Sequence, residues 1–149
     1  MVQRIARGVA VVGLVLAASF GVGAATTAGL LVQAAFPFAL VLIAVLHVLG
    51  GRAEIVAWAA LTVVLLAGTY LRTGHPIEYA VGVAYLALAA LGGFRSPAFL
   101  ALAWLIHPLW DAVPRDLPAP LQDLPLACAL FDTPIGLYLL WGVWKRHWS

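Results

Sequence analysis

Long apolar runs separated by short polar gaps organise this chain. No Asp, Glu, Lys or Arg occurs between Arg7 and Arg52. Because a helix needs about 20 apolar residues to cross the hydrocarbon core, this run is long enough for two helices, joined near residues 26–33. Four more apolar runs follow, at about 53–72, 77–94, 97–113 and 125–145. The pattern predicts an all-α polytopic transmembrane helical bundle with six spans, or five if the first run crosses only once.

The composition is that of a membrane protein and excludes other classes. Of the 149 residues, 64% are hydrophobic and only 9% are charged, proportions that a water-soluble domain or a disordered chain does not have. The net charge of +2 comes from scattered basic residues without a basic tract, so we expect no nucleic acid partner. The single cysteine, Cys128, excludes a disulfide within the chain.

The basic residues predict the orientation of the chain, because Lys and Arg near the ends of spans stay on the cytoplasmic side. Six spans with both termini in the cytoplasm place six of the eight basic residues inside and two outside, whereas five spans divide them four to four. The inner residues are then Arg4, Arg7, Arg52, Arg95, Lys145 and Arg146, and the outer ones are Arg72 and Arg115. We therefore expect six spans with both termini cytoplasmic.

Two groups mark the cytoplasmic surface in this topology. Tryptophans beside Lys145 are typical of an interfacial anchor. They are Trp141, Trp144 and Trp148. Around the turn between the second and third spans stand His47, Arg52 and Glu54. We expect His47 to be a packed or interfacial histidine rather than a ligand.

The first span carries small residues at every fourth position, which form a flat stripe on which helices approach closely in lipid. These residues are Gly13, Ala17, Gly21, Ala25 and Gly29. The stripe indicates packing within one subunit or, alternatively, a homo-oligomer or a contact with a larger membrane complex. Residues 1–25 also have the features of a secretory signal peptide, with two arginines before an apolar run and small residues at its end, so cleavage there is an alternative.

Ionisable residues inside the spans are the main candidates for a functional site. A charge at the bilayer centre costs about 2.5–3.5 kcal/mol on insertion scales, so such residues need an interfacial position or a purpose. In the six-span topology, four of them lie on the outer side of the last three spans. They are Glu78, His107, Asp111 and Asp132. The sequence predicts that they form a polar cluster in the outer leaflet.

Prolines beside this cluster predict a recess. Pro108 and Pro134 each leave a carbonyl of the preceding turn without its helical donor, and such groups persist in lipid only against protein or a watery cavity. The residues expected to line the recess are Trp104, Trp110, Cys128 and Tyr138. In a plainer alternative the last helix begins at Pro134 and Asp132 lies in a loop.

From about Phe36 to Trp144 the chain resembles a family of small uncharacterised bacterial integral-membrane proteins, defined as a domain of unknown function. The resemblance rests mainly on an H-x-x-W-D motif that begins at His107 and a C-x-x-x-D motif that begins at Cys128. It implies one integral-membrane domain, 1–149, in a bacterial inner membrane. Within it, residues 36–145 are the family-like core and residues 1–35 an added span. The family has no known activity, so it assigns these residues no role.

Several functions fit this pattern. The polar cluster could line a recess that binds a lipid or a small ligand, or form a structural hydrogen-bonded network in an accessory subunit of a membrane complex. Alternatively, Glu78, His107, Asp111 and Asp132 could be the catalytic acids and bases of an isomerase or cyclase that acts on a lipid or isoprenoid.

Two further alternatives involve ions. His107, Asp111 and Asp132 offer the nitrogen and oxygen ligands of a zinc, iron or manganese site. Buried acids also occur along the ion paths of transporters, although carriers place such groups near the midplane between repeats. The sequence leaves open whether the protein is an enzyme, and it names no cofactor.

Overall fold

The computed structural model describes residues 30–71, 75–113 and 122–148. Five helices account for most of these ranges: α1 (Leu30–His47), α2 (Gly51–Tyr70), α3 (Pro76–Phe94), α4 (Ala98–Asp111) and α5 (Leu124–Trp144). All except α4 are long and apolar enough to cross a membrane, so four candidate spans lie in the described ranges. The all-helical, multi-pass character expected from the apolar runs is thus present, and the helices coincide with the last five predicted spans.

The prediction of six spans includes residues outside the described ranges. Residues 1–29 lie outside the described ranges, and with them the first predicted span, the alternative signal segment and the small-residue stripe of Gly13, Ala17, Gly21, Ala25 and Gly29. Arg72 and Arg115, the two basic residues expected on the outer side, also lie outside them. Six spans and two cytoplasmic termini therefore stay predictions.

The fourth helix is shorter than the span expected at residues 97–113. Its 14 residues make a rod of about 21 Å, whereas the hydrocarbon core is about 30 Å thick. α4 and α5 both continue through their prolines, Pro108 and Pro134. The alternative that placed Asp132 in a loop is therefore wrong, because Asp132 is a helical residue with 2% exposure.

The core is an apolar layer in the middle of the bundle. α5 packs against α1 and α4, and α3 packs against α2 and α4. Half of the residues in the apolar stretch of α2 are buried, compared with 22% of those in α1. α2 is therefore the more central helix. α4 approaches α5 closely at Gly136, where a Cβ atom would come within 2.6 Å of Leu105. Such contacts stabilise helix pairs in lipid, where hydrophobic association is weak.

α2 contains a π-helical turn at Thr62–Ala67. In an uninterrupted α-helix Tyr70 would point about 160° away from Glu54, because each residue adds about 100° of rotation. A π turn accommodates one more residue and so removes roughly 100° of that angle. As a result Glu54 and Tyr70, at the two ends of α2, both face the interior, with exposures of 0% and 4%.

Candidate functional site

A buried polar group, which we name the aspartate cluster, lies where α2 ends beside α4 and α5. Its members are Tyr70, His107, Asp111 and Asp132. His107 Nδ1 lies 2.5 Å from Asp132 Oδ2 and 3.8 Å from Asp111 Oδ2. The Tyr70 hydroxyl donates to Asp111 Oδ1 at 2.6 Å and lies 2.9 Å from His107 Nε2. All four residues are less than 9% exposed, so these contacts lie within the protein.

The hydrogens of this cluster can be counted. Tyr70 has one hydroxyl hydrogen, which it donates to Asp111, so His107 Nε2 must donate to the Tyr70 oxygen. The bond between His107 Nδ1 and Asp132 needs one more hydrogen, which resides either on the imidazole or on the carboxyl. In both states the four groups form one continuous hydrogen-bonded chain. Its order is Asp132, His107, Tyr70, Asp111.

The structure brings three of the predicted site residues into direct contact, namely His107, Asp111 and Asp132. Cys128 lies one turn before Asp132, and one ligand atom from each of Cys128, His107 and Asp132 lies within 4.8 Å of the others. Glu78 is partly buried in the first turn of α3.

Two aromatic residues of this site were missed from the sequence. Tyr70 belongs to the cluster itself, and Tyr85 packs its ring edge to face on His107, with 5.6 Å between ring centroids. Glu78 lies two helical turns before Tyr85 and therefore on the same face of α3. Neither tyrosine is conspicuous in the sequence, because uncharged aromatic residues are common in the apolar spans of membrane proteins.

An apolar groove of about 370 Å³ runs between α3 and α4 beside the cluster. It is lined by Val81, Ala84, Tyr85, Leu88, Ile106, Leu109, Trp110 and Val113. Leu109 is 70% exposed, so the groove opens on the outside of the bundle, where a membrane places lipid chains. Tyr85 is 2% exposed and forms the wall between the groove and His107.

The residues expected to line one recess are distributed over four places. Trp110 lines the groove. Trp104 is fully buried in the core, where its indole N–H donates to Thr62 Oγ1 at 3.0 Å. Cys128 lies beside the aspartate cluster. Tyr138 lies at the other end of the bundle, in a second polar group.

This second group, which we name the glutamate cluster, comprises His47, Glu54, Tyr138, His147 and Trp148. Glu54 is fully buried and accepts hydrogen bonds from the Tyr138 hydroxyl and, at 2.9 Å, from the Trp148 indole N–H. His147 Nε2 lies 3.3 Å from Glu54 Oε2. His47 Nδ1 lies 2.8 Å from the Tyr138 oxygen, and the two histidine rings stack with 4.8 Å between their centroids.

A turn after α5 completes the glutamate cluster. The N–H of Arg146 bonds to the Val143 carbonyl at 3.1 Å and that of His147 to the Gly142 carbonyl at 2.9 Å, the two hydrogen bonds of a Schellman motif. Arg146 takes the left-handed position of this motif, with φ at 52°, where glycine is the usual residue. The Trp148 ring covers Gly142 so closely that a Cβ atom there would overlap it.

Comparison with known proteins identifies a family but no activity. A family model described as a family of unknown function, DUF6010, matches residues 28–145. No curated protein and no solved structure matches the chain. The matched range contains the whole aspartate cluster and ends before His147 and Trp148.

Proposed function

The chain belongs to the family of unknown function DUF6010, and because that membership assigns no activity, we propose a function from the geometry. The protein is a multi-pass membrane protein that binds a lipid or isoprenoid in the groove between α3 and α4. The apolar chain of the ligand lies in the groove, and its polar end lies beside Tyr85, which separates the groove from the aspartate cluster.

The position of Tyr85 carries this proposal. Its side chain lines the apolar groove on one side and contacts His107 on the other. An apolar chain in the groove gains contact with aliphatic walls, while a polar end group left in hydrocarbon without a hydrogen bond would cost several kcal/mol. A groove that ends beside hydrogen-bonding groups satisfies both ends of such a molecule.

Filling the groove tests the proposal. Ala84 lines it, whereas Ala87, exposed on the same helix, does not. We expect protein purified in mild detergent to retain a lipid or isoprenoid, detected by mass spectrometry of an organic extract. Ala84→Phe should lose most of this ligand and Ala87→Phe should keep it. Equal retention by both variants, or no retained ligand in the wild type, would contradict the proposal.

A second candidate function is acid–base chemistry on the bound ligand, with Glu78, His107, Asp111 and Asp132 as its catalytic residues. The continuous hydrogen-bonded chain supports it, since a proton taken up at one end can be released at the other. The test compares Asp132→Asn with Asp123→Asn, an exposed aspartate at the start of α5. Asp132→Asn should change the amount of one lipid or isoprenoid species in membranes that contain the protein, and Asp123→Asn should not. Identical lipid profiles would exclude this role.

The accessory-subunit hypothesis makes a different prediction. If the aspartate cluster only fixes helix packing for a larger complex, Asp132→Asn should reduce the amount of partner protein that copurifies while leaving the ligand content of the remaining protein unchanged. Measuring both quantities on one preparation separates the two hypotheses.

We also propose a bacterial inner-membrane location with both termini in the cytoplasm, supported by the distribution of basic residues. His75 and Arg52 are exposed near opposite ends of the bundle. A membrane-impermeant thiol reagent should label His75→Cys on intact cells and Arg52→Cys only after permeabilisation. The reverse pattern would invert the topology.

A further inference from the structure

The glutamate cluster has the spacing of a metal site. One ligand atom from each of His47, Glu54 and His147 lies within 4.8 Å of the others. His147 Nε2 lies 3.3 Å from Glu54 Oε2, and two ligands about 2.1 Å from one tetrahedral zinc ion are about 3.4 Å apart. The two atoms make no hydrogen bond despite their proximity, and the buried His147 Nε2 has no hydrogen-bond partner among the described residues. The two atoms are therefore placed like ligands of one ion.

The hydrogen bonds around the site leave the lone pair of His47 Nε2 available to bind a metal ion. Tyr138 donates its single hydroxyl hydrogen to Glu54, so His47 Nδ1 must donate its own hydrogen to the Tyr138 oxygen. In the neutral imidazole the lone pair of His47 is then on Nε2. Metal-binding histidines are commonly held in this way, with the second ring nitrogen donating to a protein group that fixes the tautomer.

The charge of Glu54 also favours a cation. The residue is fully buried, and its side-chain hydrogen-bond donors within the described ranges are two neutral groups, on Tyr138 and Trp148. A buried carboxylate is costly unless it is paired with positive charge or coordinates a metal. Each carboxylate oxygen has two lone pairs and accepts one of these bonds, so Oε2 can still bind an ion.

A left-handed backbone conformation at Arg146 positions the third ligand, His147. His147 reaches the site only because Arg146 adopts the left-handed conformation, which is sterically unfavourable for a residue other than glycine. Strain of this kind concentrates at binding sites, where ligand contacts offset it.

From these observations we infer that His47, Glu54 and His147 bind one divalent transition metal ion, with zinc the best match to two imidazoles and one carboxylate. The site is separate from the aspartate cluster, at the other end of α2. It goes beyond the proposed ligand binding and does not depend on it.

The test is metal binding by the full chain, purified in detergent without chelator, depleted of metal by dialysis and titrated with Zn²⁺. We expect one equivalent per chain. His47→Ala and His147→Ala should weaken binding at least tenfold, while His75→Ala, an exposed histidine at the other end of the bundle, should bind like the wild type. Zinc should raise the Tm of the wild type and of His75→Ala but not of the other two variants.

Co²⁺ binding distinguishes the loss of a ligand from the loss of folding, because visible absorption reports the site and circular dichroism reports the fold. Bound to the wild type, it should give the intense visible absorption of a tetrahedral site, and His147→Gln, which keeps the size of the side chain, should lose it while retaining the wild-type circular dichroism. Binding of less than about a tenth of an equivalent by the wild type would overturn the inference. So would unchanged binding in His47→Ala and His147→Ala, or a loss of binding in His107→Ala alone.

Discussion

The two polar clusters use the same residue types in opposite proportions. They lie about 24 Å apart along α2, since 16 residues separate Glu54 from Tyr70 at about 1.5 Å each. The aspartate cluster holds two carboxylates around one imidazole, and both nitrogens of His107 are occupied by hydrogen bonds. The glutamate cluster holds two imidazoles around one carboxylate, and Nε2 of His147 lies 3.3 Å from that carboxylate. The first arrangement suits proton transfer and the second suits metal binding.

The clusters also differ in what holds them in place. The aspartate cluster is built from residues within α2, α4 and α5, so helix packing fixes it. The glutamate cluster takes His47 from the end of α1, and it takes His147 and Trp148 from the turn after α5. Changes in this turn should therefore affect only the glutamate cluster, and that independence can be tested.

The largest expected effect is that of Glu54→Ala. It removes the acceptor of Tyr138 and Trp148 and the neighbour of His147 at once. Each buried donor left without its acceptor costs about 1–3 kcal/mol, so the loss of both bonds costs roughly 2–6 kcal/mol. We expect a clear fall in Tm in detergent, and a change of less than about 1 kcal/mol would mean that the turn is not anchored by Glu54.

Asp132→Asn should have a smaller effect at the other end. The asparagine amide can accept a hydrogen bond from a protonated His107 through its oxygen or donate one to a neutral His107 through its NH2, but the carboxylate charge is lost. We expect a loss of about 1–3 kcal/mol in a thermal unfolding measurement. Zinc binding should be unaffected, and a parallel loss of zinc binding would show that the two clusters are coupled.

Gly142→Ala tests the turn without touching any polar group. The new methyl group would overlap the Trp148 ring and push it from its position over the helix. Overpacking of this kind costs about 1–3 kcal/mol. Tryptophan fluorescence should report the displacement, and zinc affinity should fall while ligand retention in the groove stays constant. Unchanged fluorescence would mean that Trp148 does not occupy this place.

The smallest effect expected is a gain from Arg146→Gly. Glycine adopts the left-handed backbone without the steric cost that arginine bears. We expect an increase in stability of about 0.5–1 kcal/mol, measured as a higher Tm. A marked fall in Tm would show that the Arg146 side chain contributes more than its backbone conformation costs.

The sequence predicted the helices and most of the aspartate cluster for the same physical reason. Apolar runs of membrane-spanning length are visible in composition alone, and charged residues inside them, such as Asp132, are conspicuous because they are costly in lipid. Tyr70 was not predictable, since its orientation depends on a π turn in the sequence TVVLLA, which has no distinguishing residue.

The glutamate cluster shows a second limit of sequence reasoning. Glu54 and Trp148 meet across 94 positions of the chain, and the turn that brings them together has arginine where a glycine would have signalled a Schellman motif. The sequence predicts an interfacial position for His47 and Glu54, and an anchor formed by Trp141, Trp144 and Trp148. Only the fold shows that these two groups form one site.

The π turn of α2 allows this helix to hold one residue more than an uninterrupted α-helix with the same orientation of its two ends. Val63 and Val64, within the turn, are exposed on the outside of the bundle and could be substituted freely. Deleting either one would restore ordinary α-helix and leave the orientation of Glu54 relative to Tyr70 nearly unchanged. A deletion in α2 that leaves the π turn in place would instead rotate one end by roughly 100° relative to the other, and one of the two clusters would be lost. Relatives that retain both clusters should therefore have either the π turn or an uninterrupted helix one residue shorter.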